Sequence, residues 1–227
     1  MRTETPAFTG VRNPGPLTAI KTVIFDCGRV LTCDQDTECA QAMADTMGAG
    51  LEEFRAVYTA QRHEYDRGTE SARQYWDRVA ANWGRRLDDA GLERMVNLDM
   101  DSWFTINPAI VALVAELKAR GYGLLILSNM NLEGKLRLLG PARFLDGKDW
   151  LSNFDDVLLS CDLKLLKPER RIYEVCLERA RTPAEACLFI DDIEVNVLAA
   201  RALGMHALVF TNVPHLRKTI ERDYRLG

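Results

Sequence analysis

Five short apolar runs set the limits on how this chain can fold: TVIFD (22–26), GLLILS (123–128), DVLLS (156–160), CLFID (187–191) and HALVF (206–210). Each is too short for a helix and shows no polar alternation, which is the pattern of a strand covered on both faces. Segments of helical period lie between them. The clearest opens with Asn107 as N-cap and Pro108 at the first helical position, continues through IVALVAELKAR and stops at Gly121. Pro168–Arg181, Ile193–Leu203 (stopped by Gly204) and a stretch from Pro214 onward are helical by the same test. Strand and helix alternating in this way predict an α/β fold, a doubly wound, mostly parallel sheet with right-handed crossovers. Such sheets bind ligands at the carboxyl ends of their strands. Here those ends carry Asp26, Ser128, Ser160 and Asp191.

Residues 34–105 break the rhythm. They hold no convincing strand, and four amphipathic helical stretches are expected near 36–47, 51–66, 70–83 and 88–102, with a turn at Asp66-Arg67-Gly68. An all-helical insert after the first strand reads as a cap domain, with 20–33 and 106–227 forming the catalytic core. The first nineteen residues are rich in Thr, Pro, Gly and Asn and are expected to be a flexible tail; they lack the apolar centre of a signal peptide. No apolar stretch is long enough for a bilayer. A net charge of −4 without a Lys/Arg block gives no support to nucleic-acid or membrane-surface binding. Six cysteines form no CxxC pair, and most sit in apolar runs, so buried reduced thiols in a cytoplasmic protein are expected.

Four polar-ended segments carry the chemistry: VIFDCGRVL (23–31), LLILSNM (124–130), LLKPERRIY (165–173) and FIDDIEVN (189–196). Each falls at a strand end or helix start. Phosphoryl transfer asks for a nucleophile in line with phosphorus and for positive charge around the equatorial oxygens. Asp26 can supply a carboxylate nucleophile and Lys167 a cation. Gly28 would let the backbone turn sharply. Asp26, Asp191 and Asp192 brought together could not all stay ionised without a cation to offset them.

In this order and spacing the four segments resemble the haloacid dehalogenase (HAD) superfamily, in the branch whose helical cap follows the first motif. The resemblance implies a Mg²⁺ held by an Asp26 carboxylate oxygen, the Gly28 carbonyl and Asp192, hard oxygen ligands of the kind that suit this ion. It implies that Ser128 and Asn129 hold the phosphoryl group, and that Lys167 bridges nucleophile and phosphoryl oxygens. Asp191 would act through water or by orienting Lys167, and Asn196 would stand behind it. The function implied is a Mg²⁺-dependent phosphatase of a small phosphorylated metabolite, working through an aspartyl-phosphate, as a monomer or homodimer.

One position departs from the family. The residue two after the nucleophile, usually a second Asp that protonates the leaving group, is Gly28 here. Such acid–base help is worth about 10²–10⁴ in rate. A substrate with a good leaving group, a proton donor from the cap, or loss of catalysis would each follow. Bacterial sugar-1-phosphate phosphatases share the Gly, and their cap resembles HEYDRGTES (63–71), which makes His63, Tyr65, Asp66 and Arg67 candidates for substrate contact. Trp76 and Trp103 are expected to pack. A phosphomutase, a metal-free dehalogenase and a non-catalytic binding or regulatory protein on the same scaffold stay as alternatives, and the Asp191-Asp192 pair argues against the dehalogenase.

Overall fold

The structure, a computed structural model, describes residues 19–226. The N-terminal tail expected from the sequence lies outside the described residues, Ala19 apart. Strands β1 (Thr22–Phe25), β2 (Gly123–Ser128), β5 (Asp156–Leu159), β6 (Cys187–Asp191) and β7 (His206–Val209) form one parallel sheet in the order β5-β2-β1-β6-β7. A two-stranded hairpin, β3 (Phe144–Leu145) with β4 (Lys148–Asp149), stands apart from it. The mostly parallel, doubly wound sheet expected from the apolar runs is what forms. Phe25 lies level with Ile126 on one side and Ile190 on the other, which brings Asp26 and Asp191 to the same height at the carboxyl edge.

The strands are apolar throughout because both faces are covered. On one face Val23, Phe25, Leu124, Ile126 and Ile190 pack against α6 (Pro108–Ala119) and α11 (Val213–Tyr224). On the other, Ile24, Leu125, Leu127 and Phe189 meet α9 (Arg170–Ala180) and α10 (Glu194–Ala202). Asn107 caps α6 by accepting from the Ala109 amide, with Pro108 opening the helix, and Gly121 follows in the left-handed region at φ 86°. Pro168, expected to open the next helix, instead sits in a turn across a cis Lys167–Pro168 peptide. The Glu169 amide donates to the Leu166 carbonyl at 2.7 Å, and α9 begins at Arg170. Among the described residues no helix is long and apolar enough to cross a membrane.

Between β1 and α6 lie α1 (Thr37–Met47), α2 (Leu51–Ala60), α3 (His63–Arg67), α4 (Ala72–Ala81) and α5 (Asp89–Trp103). They bury a core of their own, built on Met43, Phe54, Tyr58, Tyr75, Trp76 and Met95. The stretch expected as one helix over 51–66 is broken at Gln61-Arg62. There Arg62 turns its guanidinium inward to Asp99, which is fully buried, at 3.0 Å, and to Asp66 at 3.2 Å, and it lies 4.7 Å from the centre of the Tyr58 ring. The chains entering and leaving this helical unit run side by side. Thr32 and Ile106 form an antiparallel bridge, and the Cys33 amide donates to the Thr105 carbonyl at 2.8 Å.

The helical unit is fastened to the sheet side of the molecule by α3 and the turn after it. Gly68 closes α3 at φ 73°, and its carbonyl accepts from Lys164. A Cβ there would stand 2.8 Å from the Cys161 carbonyl oxygen and 2.9 Å from the Cys161 Cα. Backbone cannot yield as a side chain can. Gly68→Ala is therefore expected to cost about 2 kcal/mol or more, summing left-handed strain and the clash. Gly147→Ala is the control, since it has a similar φ of 74° but open space around it. Urea denaturation of both variants checks this, and equal losses would remove the steric part. The same method tests the buried pair. Arg62→Met strands the Asp99 carboxylate and should destabilise by about 3 kcal/mol, while adding Asp99→Leu should recover much of the loss.

Candidate active site

The carboxyl edge of the sheet gathers the acids and one lysine. Asp26 follows β1 directly, and its amide donates to the Ile190 carbonyl at 2.9 Å, which fixes its height against β6. Lys167 is buried between two carboxylates, its Nζ 2.7 Å from Asp26 Oδ1 and 2.7 Å from Asp191 Oδ2, and it donates to the Leu127 carbonyl at 3.0 Å. Asp191 is fully engaged. Its Oδ1 accepts from the Ile193 amide at 2.8 Å and from Asn196 Nδ2 at 3.0 Å, and Asn196 also reaches Oδ2. A carboxylate this saturated holds and aims the ammonium and has no lone pair to spare. Asn129 fixes Lys167 from behind, accepting from its amide at 2.8 Å and donating to its carbonyl at 3.0 Å. Ser128, buried, ends β2 beside this clamp.

Burial works hardest on Asp26 and pushes its carboxyl up to about 6, against the pull of Lys167 and with the push of Asp191. Burial also raises the Asp192 carboxyl, which Arg29 opposes. Lys167 is raised as well: burial acts to lower it, and Asp26 and Asp191 together outweigh that. One oxygen from each of Asp26, Asp191 and Asp192 lies within 4.8 Å of the others. Asp26 Oδ1 is buried, with the Lys167 ammonium at 2.7 Å as its partner. Three carboxylates crowded together supply the hard oxygens that fit a divalent cation such as Mg²⁺. With Asp191 saturated, Asp26 and Asp192 are the acids with oxygens to offer, beside the backbone of Gly28.

Gly28 and Arg29 are the central residues of the turn in which the Val30 amide donates to the Cys27 carbonyl at 3.3 Å. The φ of Gly28 is not left-handed, and a Cβ built on it would meet no atom within 4 Å. The left-handed residue is Arg29, at φ 59°, where an L side chain costs about 1 kcal/mol. The Arg29 amide donates to Thr32 Oγ1 at 3.1 Å. Its guanidinium pairs with Asp34 Oδ1 and Asp192 Oδ2, each at 2.9 Å. Sequence reasoning passed over Arg29 because it attributed the bend to the glycine.

The four cap residues fall in different places. His63 is exposed. Tyr65 is buried in the helical unit and stacks on Tyr75 with ring centres 4.5 Å apart, so its ring packs the cap. Asp66 reaches the edge of the sheet: its carbonyl accepts from Ser160 Oγ at 2.5 Å, and its Oδ1 accepts from Asn131 Nδ2 at 3.2 Å. Arg67 pairs with Glu169 at 2.5 Å and donates to the Lys164 carbonyl at 3.2 Å, so it is a fastener between cap and core. Trp76 is buried in the cap, and Trp103 Nε1 donates to the Tyr58 hydroxyl at 2.8 Å. Ser160 is a contact the sequence marked only as a strand end. Its hydroxyl also accepts from the Met130 amide at 2.8 Å, which joins α3 to the loop after β2.

Comparison with known proteins gives the family and the fold. The pattern of the haloacid dehalogenase-like hydrolases matches residues 20–204. Phosphatase MT3486 of Mycobacterium tuberculosis is 26% identical over 90% of this chain and 94% of its own length. Acyl-CoA dehydrogenase family member 10 of mouse is 29% identical over 44% of this chain but only 9% of its own. The chain spans between 9% and 28% of the length of the first curated relatives it matches. In structure it resembles a HAD family enzyme of Bacteroides thetaiotaomicron solved with magnesium and inorganic phosphate, with a TM-score of 0.71, 21% identity and coverage of 87% of this chain and 99% of that one. With the family pattern running from the first strand to the end of α10, the chain belongs to the haloacid dehalogenase-like hydrolases.

Proposed function

We propose that the protein is a Mg²⁺-dependent phosphatase of a small phosphorylated metabolite, and that it works through an aspartyl-phosphate on Asp26. The observation that carries this reading is Lys167, buried between Asp26 and Asp191 beside a third carboxylate and the end of β2. An acid so placed is a nucleophile with a fixed cation alongside. A whole-length relative named as a phosphatase supports it, as does a structural neighbour that holds magnesium and phosphate. In this reading 34–105 is the cap, which shuts out water and selects the substrate, and 20–33 with 106–227 is the catalytic core.

Asp26 attacks phosphorus with a carboxylate lone pair. The bond from phosphorus to the leaving oxygen breaks, and that oxygen departs with the electron pair. Water then attacks phosphorus and releases inorganic phosphate, returning Asp26 to its carboxylate. Lys167, Ser128 and Asn129 bind the phosphoryl oxygens, and Asp191, held by Asn196, keeps Lys167 aimed. Asp26, Asp192 and the Gly28 carbonyl would hold Mg²⁺, whose charge offsets the crowded carboxylates and the phosphoryl oxygens when it is bound. Among the cap residues, His63 is exposed and Asp66 adjoins the loop after β2, and these two are assigned to substrate selection.

Asp26→Asn is expected to abolish phosphate release while leaving the melting temperature near that of the parent. Asp192→Asn should raise the Mg²⁺ concentration needed for half-maximal rate by tenfold or more. A phosphate-release assay over a metabolite panel, with and without Mg²⁺, measures both, and turnover by Asp26→Asn within tenfold of the parent would sink the assignment.

Gly28 leaves the departing oxygen without the family's proton donor, so rate should fall steeply as leaving-group pKa rises. Anomeric and acyl phosphates should turn over at least a hundredfold faster than primary-alcohol phosphates. A Cβ at Gly28 would meet no atom within 4 Å, so a side chain can start there without a clash. Gly28→Asp should therefore keep the fold and partly rescue the poor substrates. A flat dependence in the parent would mean that another acid already donates the proton.

A further inference from the structure

We infer that Arg29 sets the metal and anion affinities of the site against each other, acting as a tethered cation that weakens divalent-metal binding and strengthens phosphate binding. The inference rests on the cation site proposed above, and it concerns a residue to which neither the motif reading nor the proposed mechanism gives a part. Arg29 keeps a left-handed backbone that an L side chain rarely adopts, and its guanidinium bridges two acids at 2.9 Å each. One is Asp192, whose side chain is 9% exposed and which stands in the three-carboxylate cluster; the other is Asp34, at the entry to the cap. A strained residue held by two ion pairs at a site of this kind marks a constraint with a use.

The chemistry follows from charge. A guanidinium stays protonated at any ordinary pH, so its charge is permanent. It is also covalently tied to the residue after Gly28, so it cannot diffuse away as a monovalent salt ion does. With Arg29 present, the carboxylates of Asp26, Asp191, Asp192 and Asp34 face two cations, Lys167 and Arg29, and a divalent ion brings the site to neutrality. Without Arg29 the same ion leaves the site negative, which a phosphate dianion resists. The metal would then bind more tightly and the phosphate less tightly. The rival role is a purely geometric one, in which Arg29 holds the Asp192 carboxylate in place for the metal, and it predicts the opposite sign for metal binding.

Calorimetric titration of Mg²⁺ into the full chain without substrate separates the two. Arg29→Gln is expected to bind Mg²⁺ about three- to tenfold more tightly than the parent, the scale of removing one partly screened unit charge. Inorganic phosphate titrated into Mg²⁺-saturated protein should bind more weakly by a similar factor. Arg29→Lys keeps the charge and should stay near the parent in both titrations. Raised ionic strength should narrow the gap between parent and Arg29→Gln. Arg29→Gly suits the left-handed backbone and should give the same signs with the fold secure, which covers the case of a glutamine variant that folds poorly. Unchanged or weaker Mg²⁺ binding by Arg29→Gln and Arg29→Gly overturns the inference in favour of a geometric role. A parent that binds no Mg²⁺ overturns it together with the metal reading beneath it. Mg²⁺ binding with the wrong sign in the variants overturns the role of Arg29 alone.

Discussion

The ammonium of Lys167 is the point on which the carboxyl edge of the sheet converges. A buried unpaired charge costs several kcal/mol, and even a paired one is stabilising only when its remaining donors and acceptors are filled. Here they are filled from three strands: Asp26 after β1, the Leu127 carbonyl on β2 and Asp191 on β6. Asn129 grips the lysine backbone from both sides. The order β2-β1-β6 at the centre of the sheet thus has an electrostatic counterpart at its edge. The ammonium that joins these three strands is the one the proposed mechanism sets against a phosphoryl group, so in that reading stability and chemistry draw on a single residue.

The helical unit depends on that edge in a different way. α3 is only one and a half turns long, yet it joins Arg62 and the cap core to Ser160, Asn131 and Glu169 of the sheet side. A selective pocket needs walls whose position is fixed relative to the reacting group. In the proposed reading Asp66 would supply one: its carbonyl accepts from Ser160 and its carboxylate from Asn131. Arg67 does its fastening at the far side of the same short helix.

Much of this was legible in the sequence for a simple reason. Buried parallel strands are apolar on both faces, so their runs stand out, and the acids that end them mark the edge where ligands bind. Asp26, Ser128 and Asp191 stand out in this way, each at a strand end, whereas Lys167 stands out only through the motif that resembles the family's. What escaped was decided by partners far apart in the chain. Nothing local distinguishes Arg62 from a surface arginine, because its partner Asp99 lies on another helix. Tyr65, singled out for substrate contact, is buried with its ring on Tyr75. Gly28 shares its turn with Arg29, and the left-handed place in it falls to Arg29, although glycine is where a left-handed residue is ordinarily sought. In each case tertiary partners add what a local reading does not contain.

The antiparallel bridge between Thr32 and Ile106 bears on how the chain assembles. β1 must find β2 across the whole inserted unit, a separation that makes the first pairing of a parallel sheet slow. The insert, however, is helical, buries a core of its own and packs its first helix, α1, on its last, α5, so it can order as a unit. Once it does, its two ends are delivered side by side, and what remains to be closed between β1 and β2 is an ordinary crossover through α6. An insertion that lengthens the chain can in this way shorten the conformational search.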